Sequence, residues 1–221
     1  MAEILDAPLD GTMINGDIAW LEGLPEDYTA AGESLGPLAE MGPLVTTPGN
    51  HDKRDRLCAV FSDPRVDERA AKVMTVVDIG PVLLVGLDSL GLEGGVPGSL
   101  SKPQLDWLNE WLPANDAKPV LLFVHHPLND DENGLLDGRS LLDVVAQRTQ
   151  VKAIFTAHDH VYSLRDQDGL VIVTQPAVGF AFDESEMHGW LDAEFRADGM
   201  TLTTHPLNDE LSTSVDIPWL R

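Results

Sequence analysis

Imidazole, amide and carboxylate side chains recur in this sequence shortly after apolar runs end. They follow four successive runs: Asp17 after GTMIN, Asn50 and His51 after PLVTT, His125 and His126 after KPVLLFV, and His158 and His160 after VKAIFT. Nitrogen and oxygen ligands suit a borderline divalent ion such as Mn²⁺, Fe²⁺ or Zn²⁺, whereas Ca²⁺ takes more oxygen ligands. If these side chains converge, the chain can therefore hold a transition-metal ion.

Apolar runs of this kind are typical of buried β-strands, and the segments between several of them have helical periodicity. We expect helices over PEDYTAAGESLGPLAEM (25–41), RDRLCAVF (54–61), SLSKPQLDWLNEWL (99–112, with Ser101 as N-cap) and SLLDVVAQR (140–148). KVMTVVDIG and PVLLVGLDS meet at Gly80-Pro81 and predict an antiparallel hairpin. From LVIVTQPAV (170–178) onward, strands predominate. The fold class is therefore α/β grading into β, with two packed sheets and helices outside.

Each of these polar residues also has an ordinary structural explanation. Gly16-Asp17 is typical of a turn, Asn50 could cap the next helix, and the histidine pairs could be strand ends or surface residues. Together these explanations are poor, because five of the seven histidines follow predicted strands. Strand carboxyl ends in an α/β sheet meet in one crevice, so we expect a shared site there. His188 and His205 lie outside the pattern, and we expect them to be structural.

The composition limits which ligands the protein can take. With 14 Lys+Arg against 37 Asp+Glu, the formal net charge of -23 argues against binding to nucleic acid or to an anionic membrane. A phosphate ligand therefore needs a local source of positive charge, which metal ions would supply. The 221 residues, of which 43% are hydrophobic, predict a single domain over residues 1–221.

Cysteine usage and apolar segments bear on the compartment. Cys58 is the only cysteine, so no disulfide can form within the chain, as is usual for cytoplasmic proteins. No apolar run approaches the length that crosses a bilayer, and residues 1–12 lack the pattern of an export signal. We therefore expect a cytoplasmic protein, although a shortened N-terminus would also remove an export signal.

Four short motifs follow one another along the chain: GD at 16–17, GNHD at 49–52, HHP at 125–127 and HDH at 158–160. Together they resemble the calcineurin-like metallophosphoesterase family. GLDSL at 86–90, followed by QLDWLNEWL at 104–112, also resembles its cyclic-nucleotide phosphodiesterase-like branch. The resemblance implies a four-layer α/β/β/α sandwich with two divalent transition-metal ions. It also implies hydrolysis of small phosphate mono- or diesters by a metal-activated water.

The resemblance implies five metal ligands: Asp17, Asn50, His125, His158 and His160. Within this set, Asp17 would bridge the two metals, and His160 would belong to the second site. His125 is preferred to His126, because the family usually ligates through the histidine two positions before the proline.

The resemblance assigns a different role to the second half of the GNHD motif. His51 would lie beside the scissile phosphate, where it stabilises charge or protonates the leaving oxygen. Asp52 would orient His51. The chain has Ala157 where the family has a glycine, a small change that keeps both of the following imidazoles.

The start of the chain departs from the family, because no D-x-H motif precedes Gly16. Asp6 and Asp10 stand in LDAPLDG, which has the pattern of a helix end and a loop. Without the D-x-H strand, we expect one tightly bound metal ion and an open sheet edge beside GTMIN. The edge would be closed by residues 1–12 or by another chain, which favours a homo-oligomer.

A second function stays open on the sequence alone. A truncated or degenerate family member would bind one metal ion or phosphate with little turnover and act as a binding or regulatory protein. Metal content and hydrolysis of a generic phosphate ester, measured together, distinguish such a protein from an enzyme.

Overall fold

Twelve strands and four helices make up the part of the chain that the structure describes, which is residue 4 and residues 8–61, 65–67, 71–91, 95–129, 131–207 and 211–221. The strands are β1 (Thr12–Asn15), β2 (Leu44–Thr47), β3 (Arg65–Asp67), β4 (Lys72–Asp78), β5 (Leu83–Leu87), β6 (Val120–Val124), β7 (Val151–Thr156), β8 (Ser163–Gln167), β9 (Leu170–Thr174), β10 (Gly189–Arg196), β11 (Gly199–Pro206) and β12 (Ser214–Pro218). The helices of this computed structural model are α1 (Pro25–Met41), α2 (Arg54–Val60), α3 (Lys102–Ala114) and α4 (Gly138–Val145). All four predicted helices are confirmed, and their ends differ from the predicted ends by no more than a few residues. No helix in the described ranges is long and apolar enough to cross a bilayer.

A seven-stranded mixed sheet lies at the centre of the fold, in the order β3-β4-β5-β6-β7-β9-β8. Its strands β5, β6, β7 and β9 run parallel to one another. The predicted antiparallel hairpin is confirmed as β4 and β5. A strand covered on both faces must be apolar along its length, and every residue of β6 is buried. The parallel strands end at one edge of the sheet, where HHP and HDH follow β6 and β7.

Helices cover one face of this sheet, and a second layer of strands covers the other. α3 and α4 pack on the first face through a large buried apolar cluster. On the opposite face, Met200 and Leu202 of β11 pack in one cluster with Phe123 of β6. α1 and α2 pack outside β2 through Tyr28 and Leu57. This arrangement confirms the predicted four-layer α/β/β/α sandwich.

The second layer consists of two separate sheets in the described residues. β1 and β2 form a parallel pair, and β10, β11 and β12 form an antiparallel sheet. β1 has β2 as its only strand partner within the described ranges, and residues 8–11 form no strand there. The rest of the predicted closing segment, residues 1–3 and 5–7 with Asp6, lies outside the described residues. Pairing with another chain stays a prediction.

The N-terminus of α3 is held differently from the prediction. Ser101 occupies the N-cap position, but its hydroxyl makes no capping hydrogen bond and is buried without a partner. The Asp137 carboxylate instead accepts the backbone N–H groups of Leu100 and Ser101, each at 2.9 Å. The predicted N-cap position of Ser101 is therefore confirmed, but the hydrogen bond expected from its hydroxyl is absent, and Asp137 holds the backbone that leads into the helix.

A buried ionic cluster around Asp88 joins α2 to β4 and β5. The fully buried carboxylate accepts two hydrogen bonds from Arg54, at 2.6 and 2.9 Å. The ammonium of Lys72 lies 3.7 Å away, and burial lowers the pKa of this lysine. Asp88 also accepts the backbone N–H groups of Val73 and Leu90. The carboxylate thus balances two cations and fixes the chain that leaves β5.

We expect Asp88→Ala to lower the free energy of unfolding by about 3–5 kcal/mol, because it leaves a buried ammonium without its counter-charge. Asp106→Ala is the matched control, since its exposed pair with Lys102 spans one helical turn and contributes little. Urea denaturation of both variants measures the difference. Equal losses would mean that the Asp88 cluster contributes no more than a surface ion pair.

Candidate metal centre

Side chains from three different strand ends converge in the structure. Ligand atoms of Asp17, His125 and His158 all lie within 4.8 Å of one another. Asp17 Oδ2 lies 3.2 Å from His125 Nε2, and Asn50 Oδ1 lies 3.3 Å from the same nitrogen. The structure thus brings four of the five predicted ligands together, and their role as ligands stays a prediction.

Glycine makes the close approach of these strand ends sterically feasible. After β1 the backbone turns through Gly16 and Asp17, whose φ angles are 86° and 52°. A Cβ atom on Gly16 would lie 2.4 Å from His125 Nδ1, and one on Gly49 would lie 2.1 Å from Asp17 Oδ1. Both distances are too short for a side chain, so packing requires the glycines of the GD and GNHD motifs.

A backbone hydrogen bond fixes which nitrogen of His125 faces the cluster. The atom 2.7 Å from Nδ1 is the carbonyl oxygen of Asn15, so Nδ1 must carry the proton. In the neutral ring, Nε2 then presents a lone pair to the oxygens of Asp17 and Asn50. Because these electron pairs repel one another, a cation or a proton must lie among them. Metal-binding histidines have this arrangement, with the second nitrogen held by a carbonyl or carboxylate.

Two further imidazoles carry buried nitrogen atoms that fit a metal ion. His158 Nδ1 and His160 Nδ1 are both buried without a hydrogen-bond partner. A buried polar atom in this state is costly unless a ligand satisfies it. Imidazole nitrogen, carboxylate oxygen and amide oxygen together suit Mn²⁺, Fe²⁺ or Zn²⁺. The residues present therefore fit a divalent transition-metal ion.

The cluster sets the protonation of its members. Burial would raise the pKa of Asp17, but the charge of His125 and hydrogen bonds from His125 and the His51 backbone lower it well below its usual range. Burial lowers the pKa of His158 to about 4, and the charge of His125 adds to this effect. Burial would also lower the pKa of His125, but the Asp17 carboxylate raises it. Near neutral pH Asp17 is thus ionised and His158 neutral, which are the forms that bind a metal ion. Because the pKa of His125 is raised, a metal ion bound there would displace a proton from its Nε2.

Asp52 joins the loop after β1 to the loop after β2. Its fully buried carboxylate accepts the backbone N–H groups of Ile18 at 3.3 Å, Ala19 at 3.1 Å and Gly49 at 2.8 Å. The hydroxyl of Tyr28 donates to the same carboxylate at 3.2 Å. Burial raises the pKa of Asp52, although these donors act in the opposite direction. Asp52 therefore positions the two loops that carry Asp17 and Asn50.

His51 is held by a backbone carbonyl, which differs from the expectation that Asp52 orients it. The ring donates Nδ1–H to the carbonyl oxygen of Leu21 at 2.9 Å. Leu21 has a φ of 39°, an uncommon conformation for a residue with a branched side chain. The backbone N–H of His51 donates to Asp17 Oδ1 at 3.0 Å. The imidazole is thus fixed beside the cluster with Nε2 directed away from its carbonyl partner.

The structure distinguishes the two histidines of the HHP motif. The fully buried His126 uses both ring nitrogens: Nε2–H donates to the Val96 carbonyl at 2.8 Å, and Nδ1 accepts from the Ser89 hydroxyl at 2.7 Å. Burial lowers the pKa of His126 to about 3, so the ring stays neutral. His126 has no nitrogen left for a ligand, which supports the choice of His125.

The other predicted histidines lie outside the compact group. His160 is not one of its three members, and its ring stacks on Phe182 with 4.4 Å between centroids. Burial lowers the pKa of His160. His205 stacks on Trp190 within the three-stranded sheet. A role for His160 in a second metal site stays a prediction.

Asn15 helps to form the site, although the sequence interpretation did not single it out. Its amide donates to the carbonyls of Val124 and Phe155, each at 3.2 Å, and to Gln175 Oε1 at 3.0 Å. Its Oδ1 accepts from the Thr47 hydroxyl at 2.8 Å. Asn15 therefore joins the ends of β1, β2, β6 and β7. A polar residue at the buried end of an apolar strand, directly before GD, is the signal that marks it.

The sequence is also similar to those of known phosphoesterases. The calcineurin-like phosphoesterase family matches residues 3–162. A probable cyclic nucleotide phosphodiesterase of Synechococcus is 30% identical over 199 residues, covering 86% of this chain and 73% of the relative. A probable glycerophosphodiester phosphodiesterase of Arcobacter nitrofigilis is 31% identical over 172 residues, covering 75% of this chain and 62% of the relative.

The fold also occurs in a solved structure of low sequence similarity. A dimetal phosphatase from Danio rerio has a TM-score of 0.76 at 16% identity, covering 99% of this chain and 86% of that chain. This likeness establishes the fold alone. Because the family match spans most of the chain and contains all four motifs, the chain belongs to the calcineurin-like phosphoesterase family.

Proposed function

We propose that this protein hydrolyses phosphate diesters at the cluster of Asp17, Asn50, His125 and His158. Metal-dependent hydrolysis of phosphate esters is the activity of the family to which the chain belongs. The names of two relatives, both phosphodiesterases, support diesters as the substrate class. The observation that carries the proposal is the convergence of Asp17, His125 and His158 within 4.8 Å.

The proposed metal ligands divide into two sites. Asp17, Asn50, His125 and His158 would hold one ion, and Asp17 and His160 would contribute to a second. When bound, divalent metal ions polarise the phosphoryl oxygens and make water nucleophilic near neutral pH. Because His160 lies outside the compact group, we expect one ion to be held more tightly than the other. Mn, Fe and Zn all suit these ligands.

His51 is the proton donor in this proposal. The Leu21 carbonyl holds Nδ1–H, so Nε2 is the nitrogen that can reach a substrate. With a proton on Nε2, the ring stabilises developing negative charge and can pass that proton to the leaving oxygen. Asp52 is a positioning residue here, because it holds the backbone on both sides of the cluster.

A second candidate function is metal or phosphate binding with little turnover, as in a binding or regulatory protein. The position of His160 outside the compact group favours it, because an incomplete second site would limit catalysis. The two candidates predict the same ligands for the first ion. They differ in turnover, which the experiments below measure together with metal content.

Two further proposals concern the oligomeric state and the cellular location of the protein. A homo-oligomer would cover the edge of β1 that has no strand partner among the described residues. A cytoplasmic location is supported by Cys58, which is a free thiol and the only cysteine. Both are independent of the ligand assignment.

Asp17→Asn and His158→Ala should each weaken metal binding by more than roughly 100-fold, because each removes a ligand rather than a ligand's supporting partner. His205→Ala is the matched control, since this histidine stacks on Trp190 outside the cluster. Equilibrium dialysis followed by elemental analysis gives the metal bound per chain. Normal metal content in Asp17→Asn would contradict the ligand assignment.

Hydrolysis of bis(p-nitrophenyl) phosphate should disappear on chelation and return with added Mn²⁺, Fe²⁺ or Zn²⁺. The physical reason is charge: a chain with a formal charge of -23 needs a local cation to accept an anionic ester. Release of p-nitrophenol measures the activity. Undiminished turnover by protein that elemental analysis finds free of metal would refute the proposal. Stoichiometric metal binding without turnover would favour the second candidate.

The variants His51→Ala and Asn50→Ala should distinguish the role of the proton donor from the role of the neighbouring metal ligand. His51→Ala should keep its metal and lower kcat by roughly 100-fold or more, the scale of losing a positioned proton donor. Asn50→Ala should instead lose metal, because it removes an oxygen that faces His125 Nε2. Dialysis and turnover are measured on the same preparations. If His51→Ala strips the metal, the assignment of roles is wrong.

A further inference from the structure

Three exposed aromatic side chains, Trp20, Phe180 and Phe182, form what we call the aromatic patch. Their exposed fractions are 62%, 45% and 73%. Trp20 contacts Phe180 edge to face with 6.0 Å between ring centroids, and Phe180 contacts Phe182 in the same way at 5.4 Å. Phe182 stacks on His160 at 4.4 Å. Rings from two distant segments thus meet in water beside a proposed metal ligand.

The fold itself does not account for the aromatic patch. None of its three residues belongs to the buried apolar clusters that hold the four layers of the described chain together. Large apolar side chains grouped in water usually mark a binding site. Here they stand on a strongly acidic protein, where solubility would favour charged residues at such positions.

The location of the aromatic patch limits what can occupy it. His160 contacts both Phe180 and Phe182, and it lies two residues from His158. The aromatic patch therefore adjoins the cluster through His160, on a side where it can receive one ester group of a diester whose phosphate lies at the cluster. Aromatic ring faces bind other planar rings by stacking, whereas a polyol such as glycerol gains little from them.

We infer that the aromatic patch binds the planar nitrogenous base of a nucleotide-like phosphodiester and thereby sets the substrate preference of the site. This inference rests on the proposed function. Stacking needs no positive charge, so it suits a chain with 14 Lys+Arg against 37 Asp+Glu. The patch supplies affinity for the organic group, while the metal cluster receives the phosphate.

Trp20→Leu, alone and combined with Phe180→Leu, tests the inference, because leucine keeps apolar bulk without an aromatic face. KM for 3′,5′-cyclic AMP should rise by roughly 10-fold or more, the scale of losing a stacked base, with little change in kcat. KM for glycerophosphoglycerol, a diester with neither an aromatic ring nor a cationic group, should stay near its original value. Val178→Ala is the control: this residue is 55% exposed and precedes Phe180 by two positions, and its loss should leave both KM values unchanged.

Calorimetric binding of adenosine, which carries the base but no phosphate, is measured in parallel. A roughly 10-fold weaker affinity in Trp20→Leu supports the inference even if neither diester is hydrolysed, in which case the proposed function alone fails. Equal affinity in both proteins overturns the inference, as does a selective rise in KM for glycerophosphoglycerol. Analytical ultracentrifugation of the same variants measures their oligomeric state, which tests whether a second copy of the chain covers the aromatic patch instead. A changed oligomeric state with unchanged adenosine binding would make the patch an interface between copies and overturn the inference.

Discussion

The carboxylate of Asp52 is the constraint on which the geometry of the site depends. It is fully buried and accepts hydrogen bonds from the loop after β1, from the loop after β2 and from α1 through Tyr28. A buried carboxyl group is stable only while its hydrogen-bond donors stay in place. The loops that carry Asp17 and Asn50 therefore cannot move independently of each other. Their ligand atoms are held at one spacing by the protein itself.

Much of the fold is predictable because apolar periodicity is a local property of the sequence. The helical pattern of PEDYTAAGESLGPLAEM has the same bounds as α1, and β6 is a continuous buried run. β8 cannot be predicted in this way, because all of its residues are exposed and SLRDQ has no apolar pattern. It forms a strand because the antiparallel neighbour β9 offers a free edge, which is a property of the assembled sheet.

The convergence of Asp17, His125 and His158 is predictable from the sequence, but the groups that orient the side chains of the site are not. Imidazoles and carboxylates after apolar runs are visible in the sequence. The carbonyl of Leu21 that holds His51 is not, because every residue has a carbonyl and only the local backbone aims this one. The same is true of Trp20 and Phe180, whose contact depends on how the loop after β1 meets the segment after β9.

The hydrogen bond between His125 and the Asn15 carbonyl joins positions 110 residues apart, and the Asn15 amide reaches Phe155, a further strand along the sheet. Contacts of such sequence separation form late in folding, because the entropy of closing a long loop must be overcome first. The ligands therefore meet only after β6 and β7 have docked against β1. A chain still emerging from the ribosome therefore has no finished cluster. Any selectivity of the proposed metal site is therefore a property of the folded protein.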